Sequence, residues 1–194
     1  MRSTTFFTAF SALLFLVSCK DKNKTVYEGC CGEDPITDSF FITTKLYDAH
    51  GNLVDSTIKA NVYIPNIITN DSDGINDIFL VFGGANAISR VISMNCSSEN
   101  GAPLFHSENF QPNDPGHSWN GLNTDGTIYQ GRFNYEVKIE FVDGQVKTYT
   151  GEACAYRCNE EGFPTDHLPN CFFPYQHDGN GGLDLSLPAQ TDCF

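Results

Sequence analysis

Residues 133–141 read FNYEVKIEF. Phe133, Tyr135, Val137, Ile139 and Phe141 occupy every second position, with Asn134, Glu136, Lys138 and Glu140 between them. Successive side chains of an extended chain point to opposite faces, so this alternation predicts a strand with one face in a core and the other in water. Asp143-Gly144 follows as a hairpin-turn dipeptide, and VKTYT at 146–150 supplies the returning strand. Upstream, FFITTKLYD and LVDSTIKANVYI flank the turn AHGN, and IFLVFG and AISRVISM come next. No amphipathic helix or internal repeat interrupts them. Short β-rich stretches separated by turn residues predict an all-β fold, an immunoglobulin-like antiparallel β-sandwich over residues 39–153.

The first 18 residues have a different composition. One positive charge at Arg2 precedes an apolar run of about 12 residues, Phe6 to Val17, and then Ser18 and Cys19. The run is shorter than the roughly 20 residues a bilayer-spanning helix needs, and its flanks are those of a secretory signal. The boundary LVSC, Leu16 to Cys19, resembles the lipobox of bacterial lipoproteins, in which the cysteine is acylated, with palmitate among the expected chains, and becomes the new N-terminus. That resemblance implies lipidation at Cys19 and membrane attachment through the lipid anchor, since buried acyl chains contribute about 0.8 kcal/mol per CH2. Residues 19–38, beginning CKDKNKTVYEG, are polar and aperiodic, as a solvated tether would be. The location expected is the outer membrane, with the folded part at the cell surface.

Removing residues 1–18 leaves 194 − 18 = 176 residues, carrying 24 acidic and 11 − 1 = 10 basic side chains. So acidic a surface repels nucleic acid and anionic lipid, which excludes both as expected partners. Apart from Cys19, seven cysteines remain: Cys30, Cys31, Cys96, Cys154, Cys158, Cys171 and Cys193. In an exported chain they are read as disulfide candidates, and their odd number requires at least one outside an internal pair. Adjacent Cys30 and Cys31 are expected to tie the tether to two different places rather than to each other. Residues 154–194 hold four of the seven with four prolines, a loop-rich tail held by cross-links more than by a core of its own. The spacing Cys154-x3-Cys158-x8-His167-x3-Cys171 is also a tetrahedral zinc candidate, which an oxidising exterior disfavours. Asp178, Asn180 and Asp184 in HDGNGGLD are read as a flexible loop.

The stretch PNIITNDSDGINDIF, residues 65–79, gathers Asp71, Asp73, Asn76 and Asp77 around Gly74. Two readings stand. Four oxygen-bearing side chains beside a glycine could help hold Ca2+, which takes six to eight oxygens. Alternatively the same side chains accept backbone N–H groups in an Asx-rich turn, which is the preferred reading. The loop is not an EF-hand, because Ile75 occupies the fifth position from Asp71 and no Glu falls at the twelfth. No cofactor is expected beyond this candidate structural calcium.

The same stretch resembles the gliding motility-associated C-terminal domain of Bacteroidetes, the type B sorting domain of type IX secretion. Members carry P-N-x-[FI]-T-P-N-G-D-G-x-N-D-x-F, from which this chain departs at Asn70, Asp71 and Ser72. SWNG at 118–121 matches the family's W-[DN]-G, GRFNYEV at 131–137 its G-x-[YF]-x-Y-x-[IV], and Gly151 the glycine opening its last strand. The resemblance covers about residues 60–155 and implies the sandwich fold. It implies a role as a secretion signal less strongly, because about 40 residues follow where exported cargo ends.

Catalytic motifs are not found. GHSWNG at 116–121 would need glycine at Trp119 to be a nucleophile elbow, so Ser118 is read as a turn residue and Trp119 as a core anchor. His50, His106 and His117 are isolated and read as surface residues. The favoured expectation is a non-catalytic outer-membrane or cell-surface lipoprotein serving display, adhesion or assembly with an outer-membrane protein complex of the secretion or gliding type. A carbohydrate- or peptide-binding module comes second, with Phe172, Phe173 and Tyr175 as its aromatic platform, and a secreted enzyme third.

Overall fold

In the computed structural model, which describes residues 27–157 and 170–189, the chain forms eight strands. They are β1 (Ile36–Tyr47), β2 (Leu53–Ile64), β3 (Ile67–Thr69), β4 (Phe82–Gly83), β5 (Ile88–Ser98), β6 (Pro103–Phe110), β7 (Gly131–Phe141) and β8 (Val146–Tyr156). One sheet has the order β1-β2-β4 and the other β3-β8-β7-β5-β6. The fold is the all-β sandwich expected. Among the described residues the only helical turns are 3₁₀ turns at Pro115–His117 and Pro174–Gln176, and none is long and apolar enough to cross a membrane.

The alternation at 133–141 sets the core. Phe133, Tyr135, Val137, Ile139 and Phe141 are all buried, facing Ile42, Ala60, Val62 and Ile64 of the smaller sheet. Trp119 packs edge-on against Phe133, with ring centroids 4.7 Å apart, and its Nε1–H donates to the Leu122 carbonyl at 2.8 Å. It is a core anchor whose one polar atom is satisfied, as a buried tryptophan requires. The turn at 48–52 closes the β1–β2 hairpin where expected, and Gly51 takes the φ of +82° that it needs.

Four expectations need correction. The pairing is not wholly antiparallel, because β3 lies parallel to β8, with Ile67 opposite Cys154 and Thr69 opposite Tyr156. Pro65 has no N–H to continue the β2 ladder, so the chain bends there and crosses from the smaller sheet to the edge of the larger one. The stretch IFLVFG forms only the two-residue β4, although Phe79 to Gly83 are all buried. Its backbone is satisfied by loops instead: Phe79 exchanges both hydrogen bonds with Trp119, and the Val81 carbonyl accepts the Asn113 N–H at 3.0 Å.

Next, β8 runs to Tyr156, past the boundary at 153, and Gly151 lies mid-strand instead of opening it. Opposite Gly151 stands Tyr135, whose hydroxyl would lie 2.5 Å and whose ring 2.8 Å from a Cβ at position 151. Glycine therefore makes room for a cross-strand aromatic. Lastly, PLFHSENF adds a strand, β6, that the sequence pattern does not announce, because it is an edge strand that buries only Leu104 and Phe110.

Residues on both sides of the sandwich pack onto it. A second cluster joins Tyr27 from the tether, Ile67, Cys154 and Tyr156 from the sandwich, and Cys171 and Phe173 from the tail. Disulfides Cys30–Cys154 and Cys31–Cys171 run through it, with Cα separations of 5.4 and 5.0 Å, within the normal range. The adjacent cysteines do tie the tether to two places.

Candidate functional site

The acidic loop follows directly from β3, which fixes where it starts. Thr69 N–H donates to the Asn76 carbonyl at 2.9 Å, closing the loop at its base. Within it, Ser72, Gly74 and Asn76 all have positive φ, +66°, +88° and +60°, conformations that glycine, asparagine and small polar residues tolerate best. Carboxylate oxygens of Asp71, Asp73 and Asp77 lie within 4.8 Å of one another. The sequence is thus right that these three side chains converge.

What they do there is clear from their partners. Asp77 Oδ1 accepts the N–H groups of Asp71 and Ser72 at 3.1 and 2.9 Å, and its Oδ2 accepts Gly74 N–H at 2.7 Å. Asp71 Oδ1 accepts Asp73 N–H at 3.2 Å, and Asp73 Oδ1 accepts Ile75 N–H at 2.7 Å. Five backbone donors that the bend withholds from any ladder are satisfied by three carboxylates. Partial burial raises the Asp71 pKa from its ordinary value, and the charges of Asp73 and Asp77 push it the same way.

Asn76 has a partner outside the loop. It is buried, and its side-chain oxygen accepts Tyr175 N–H at 2.8 Å, which ties the loop to the tail. The zinc candidate fails because Cys154 and Cys171 are oxidised, to Cys30 and Cys31. Cys158 and His167 lie outside the described residues, as do Cys19 and Cys193. Cys96 is a free thiol, which corrects its reading as a disulfide candidate. It faces the core from β5, opposite Tyr135, with no described cysteine beside it, and burial raises its pKa well above the ordinary thiol range.

HDGNGGLD, expected as a flexible loop, is a closed turn. Asp178 Oδ1 accepts both Asn180 and Gly182 N–H at 2.7 Å, and His177 bridges to Leu183. Gly181 presses on the smaller sheet so closely that a Cβ there would sit 2.4 Å from Gly83 Cα. Asp184 turns instead to Ser186, accepting its N–H at 2.9 Å, so these acids do not share a centre. The proposed aromatic platform is likewise divided: Phe173 is buried in the second cluster, Phe172 is half-buried, and only Tyr175 is exposed.

The catalytic candidates are structural in geometry. Ser118 Oγ donates to the Pro115 carbonyl at 2.7 Å. His50 is exposed at the hairpin tip, and His106 sits beside Asn95 on the edge strand β6. His117 is less isolated than expected, stacked on Phe110 at 4.9 Å with Nδ1 2.8 Å from Ser107 Oγ. Its Nε2 is 3.9 Å from Asp114, too far for a hydrogen bond that would orient the ring.

Sequence reasoning missed Asn66, a buried polar residue that joins three segments. From a buried position it donates through Nδ2 to the carbonyls of Glu33 and Asn170 at 2.8 and 2.7 Å and accepts Phe172 N–H at 2.7 Å. It also missed the network between sheets at Asp38, where Lys147 Nζ and Tyr149 Oη donate at 3.0 and 2.7 Å and Lys147 lies 3.2 Å above the Phe40 ring. No protein-family model matches the chain, and no curated protein matches it.

Proposed function

We propose that the protein is a non-catalytic, lipid-anchored module of the outer membrane, displayed at the cell surface, whose β-sandwich serves adhesion or assembly with an outer-membrane machine. The observation that carries this reading is the pair of disulfides fixing Cys30 and Cys31 to β8 and to the tail. Such bonds persist in exported, oxidising settings. Their position also suits an anchor. They grip the chain about a dozen residues after Cys19, so a pull through an acylated Cys19 would reach β8 and the tail through covalent bonds before it could peel β1 from its edge.

The apolar run ending in LVSC supports the anchor itself. A chain with formal charge −13 is repelled by anionic headgroups, so its attachment would depend on acyl chains and not on charge. The residues that carry the resemblance to the gliding motility-associated domain each have a structural part in this fold. Pro65-Asn66 makes the crossing between sheets, Asp77 organises the loop, and Trp119 anchors the core.

The test is fractionation of cells producing the full chain, with protease treatment of intact cells. The wild type is expected in the outer-membrane fraction and cleaved from outside, and Cys19→Ala is expected to leave the membrane. Retention of Cys19→Ala in washed membranes, or a cytoplasmic wild type with free thiols, would overturn the reading.

A further inference from the structure

The β1–β2 hairpin is longer than the sandwich needs. β4 pairs with β2 only at Val62–Gly83 and Tyr63–Phe82, so the rest of the hairpin is two strands wide; Ile42 and Ala60 still face the core, and the part from Thr43 to Thr57 extends beyond it as a largely exposed arm. Among the described residues β1 is an edge, hydrogen-bonded to β2 alone. The arm concentrates exposed apolar side chains: Phe41 at 72 %, Tyr47 at 76 %, and Leu46, Leu53 and Val54. A long apolar edge is normally shielded by charge, proline or a bulge, and β1 has none of these between Phe40 and Thr44. Isolated two-stranded ribbons are marginal in water and gain from a third strand.

We propose that the occupant of this edge is a second copy of the chain, with β1 pairing antiparallel to its own counterpart about a two-fold axis at Phe41. The phase of the ladder allows it. Asp48 N–H donates to the Asn52 carbonyl, and counting back by twos turns the backbone groups of Thr37, Ser39, Phe41, Thr43, Lys45 and Tyr47 outward.

Side chains select the register. With Phe41 opposite its own copy, Thr43 meets Ser39 and Lys45 meets Thr37 on one face. On the other face Ile42 meets Phe40, Thr44 meets Asp38, and exposed Leu46 meets Ile36, which already packs on the core. Apolar side chains meet apolar ones and no like charges are opposed. Moving the axis to Ile42 would set Asp38 against Leu46, and moving it to Phe40 would set Asp38 against Ile42. Either shift places a carboxylate against an aliphatic side chain.

The net charge of −13 makes two copies repel at a distance, a repulsion screened beyond about 10 Å in 0.1 M salt. Dimerisation is therefore expected to strengthen from low to physiological salt.

The experiment is sedimentation of the full chain with cysteine cross-linking along the edge. Directly opposed residues in a hydrogen-bonded antiparallel pair lie about 5.5 Å apart at Cα, within disulfide reach. Phe41→Cys is expected to form a reducible dimer by itself. Ser39→Cys and Thr43→Cys are expected to cross-link when mixed and not when alone, while the comparably exposed Leu185→Cys stays monomeric. Thr43→Pro, which removes an outward N–H that β2 does not use, is expected to leave the melting temperature unchanged and abolish the dimer. A wild type that sediments as a monomer throughout the micromolar range, a dimer that survives Thr43→Pro, or equal cross-linking at position 185 would overturn the proposal.

Discussion

Replacing Asn66 by alanine tests how the three parts of the chain are joined. The side chain sits 1 % exposed and makes three hydrogen bonds of 2.7–2.8 Å, one to the tether and two to the tail. Asn66→Ala removes all three while leaving the main-chain bonds from Asn66 N–H to Phe172 and from Cys154 N–H to Asn66 in place, so the ladder is not disturbed. A net intramolecular hydrogen bond contributes about 1 kcal/mol, and a buried group left without a partner costs about 1–3 kcal/mol. Water reaches the partly buried partners, which sets the expected loss near the low end, about 3–4 kcal/mol in total. For a chain of this size about 1 kcal/mol corresponds to 2–4 °C, so the melting temperature is expected to fall by roughly 10 °C. The assay is thermal and urea unfolding with disulfides intact, and Asn66→Asp is expected to lose at least as much because a carboxylate would face two carbonyls. A loss below about 1 kcal/mol would refute the reasoning, since water would then replace the side chain without cost.

Four further outcomes are expected. Asp77→Ala, which withdraws the acceptor from three backbone N–H groups, is expected to cost about 1–2 kcal/mol in this solvent-exposed loop. Asp73→Asn is expected to be neutral or mildly stabilising and calcium to leave melting unchanged; a calcium-dependent rise that Asp73→Asn removes would make the turn a metal site. His177, stacked 4.3 Å from Phe82, has its pKa lowered by burial against the opposing charge of Asp178, so the unfolded chain binds a proton first and stability falls as pH drops through about 6.5. His177→Phe is expected to flatten the melting temperature over that range. Finally, with either disulfide intact the other closes a circuit of only about 171 − 154 = 17 residues, so removing one costs about 3 kcal/mol; removing both also releases the long loop, about 5 kcal/mol more. Urea titrations are expected to show the double loss exceeding the sum of the single losses.

The parts of this fold legible in the sequence are those where one residue pair carries the signal. FNYEVKIEF alternates because β7 is central and buries one face, and Asp143-Gly144 must turn because β8 returns at once. The convergence of Asp71, Asp73 and Asp77 was legible as well, being confined to seven residues. The sequence conceals whatever depends on distant partners. Asn76 looks like a fourth loop oxygen, and only the tail at Tyr175 makes it a clasp. IFLVFG has strand composition, yet the loops around Trp119 and Asn113 satisfy its backbone before a neighbouring strand can. β3 has three residues and no alternation to read, so its parallel pairing was invisible.

The tether and tail show why the cross-links lie where they do. The second cluster contains four apolar or aromatic side chains, Tyr27, Ile67, Tyr156 and Phe173, beside two half-cystines. Burying so few side chains cannot offset the conformational entropy of ordering residues 27–35 and 170–189. The remaining stabilisation has to come from the unfolded side of the equilibrium, where covalent links shorten the loops that the chain must close. Adjacent cysteines are effective for this. Two bonds leaving positions 30 and 31 bring the tether, the last strand and the tail together at one point, and Asn66 then needs only short side-chain hydrogen bonds to hold the same three segments in register. The disulfides make the encounter frequent, and the buried amide makes it specific. On that division of roles, reduction should release the tether and tail from the sandwich before the strands of the larger sheet separate.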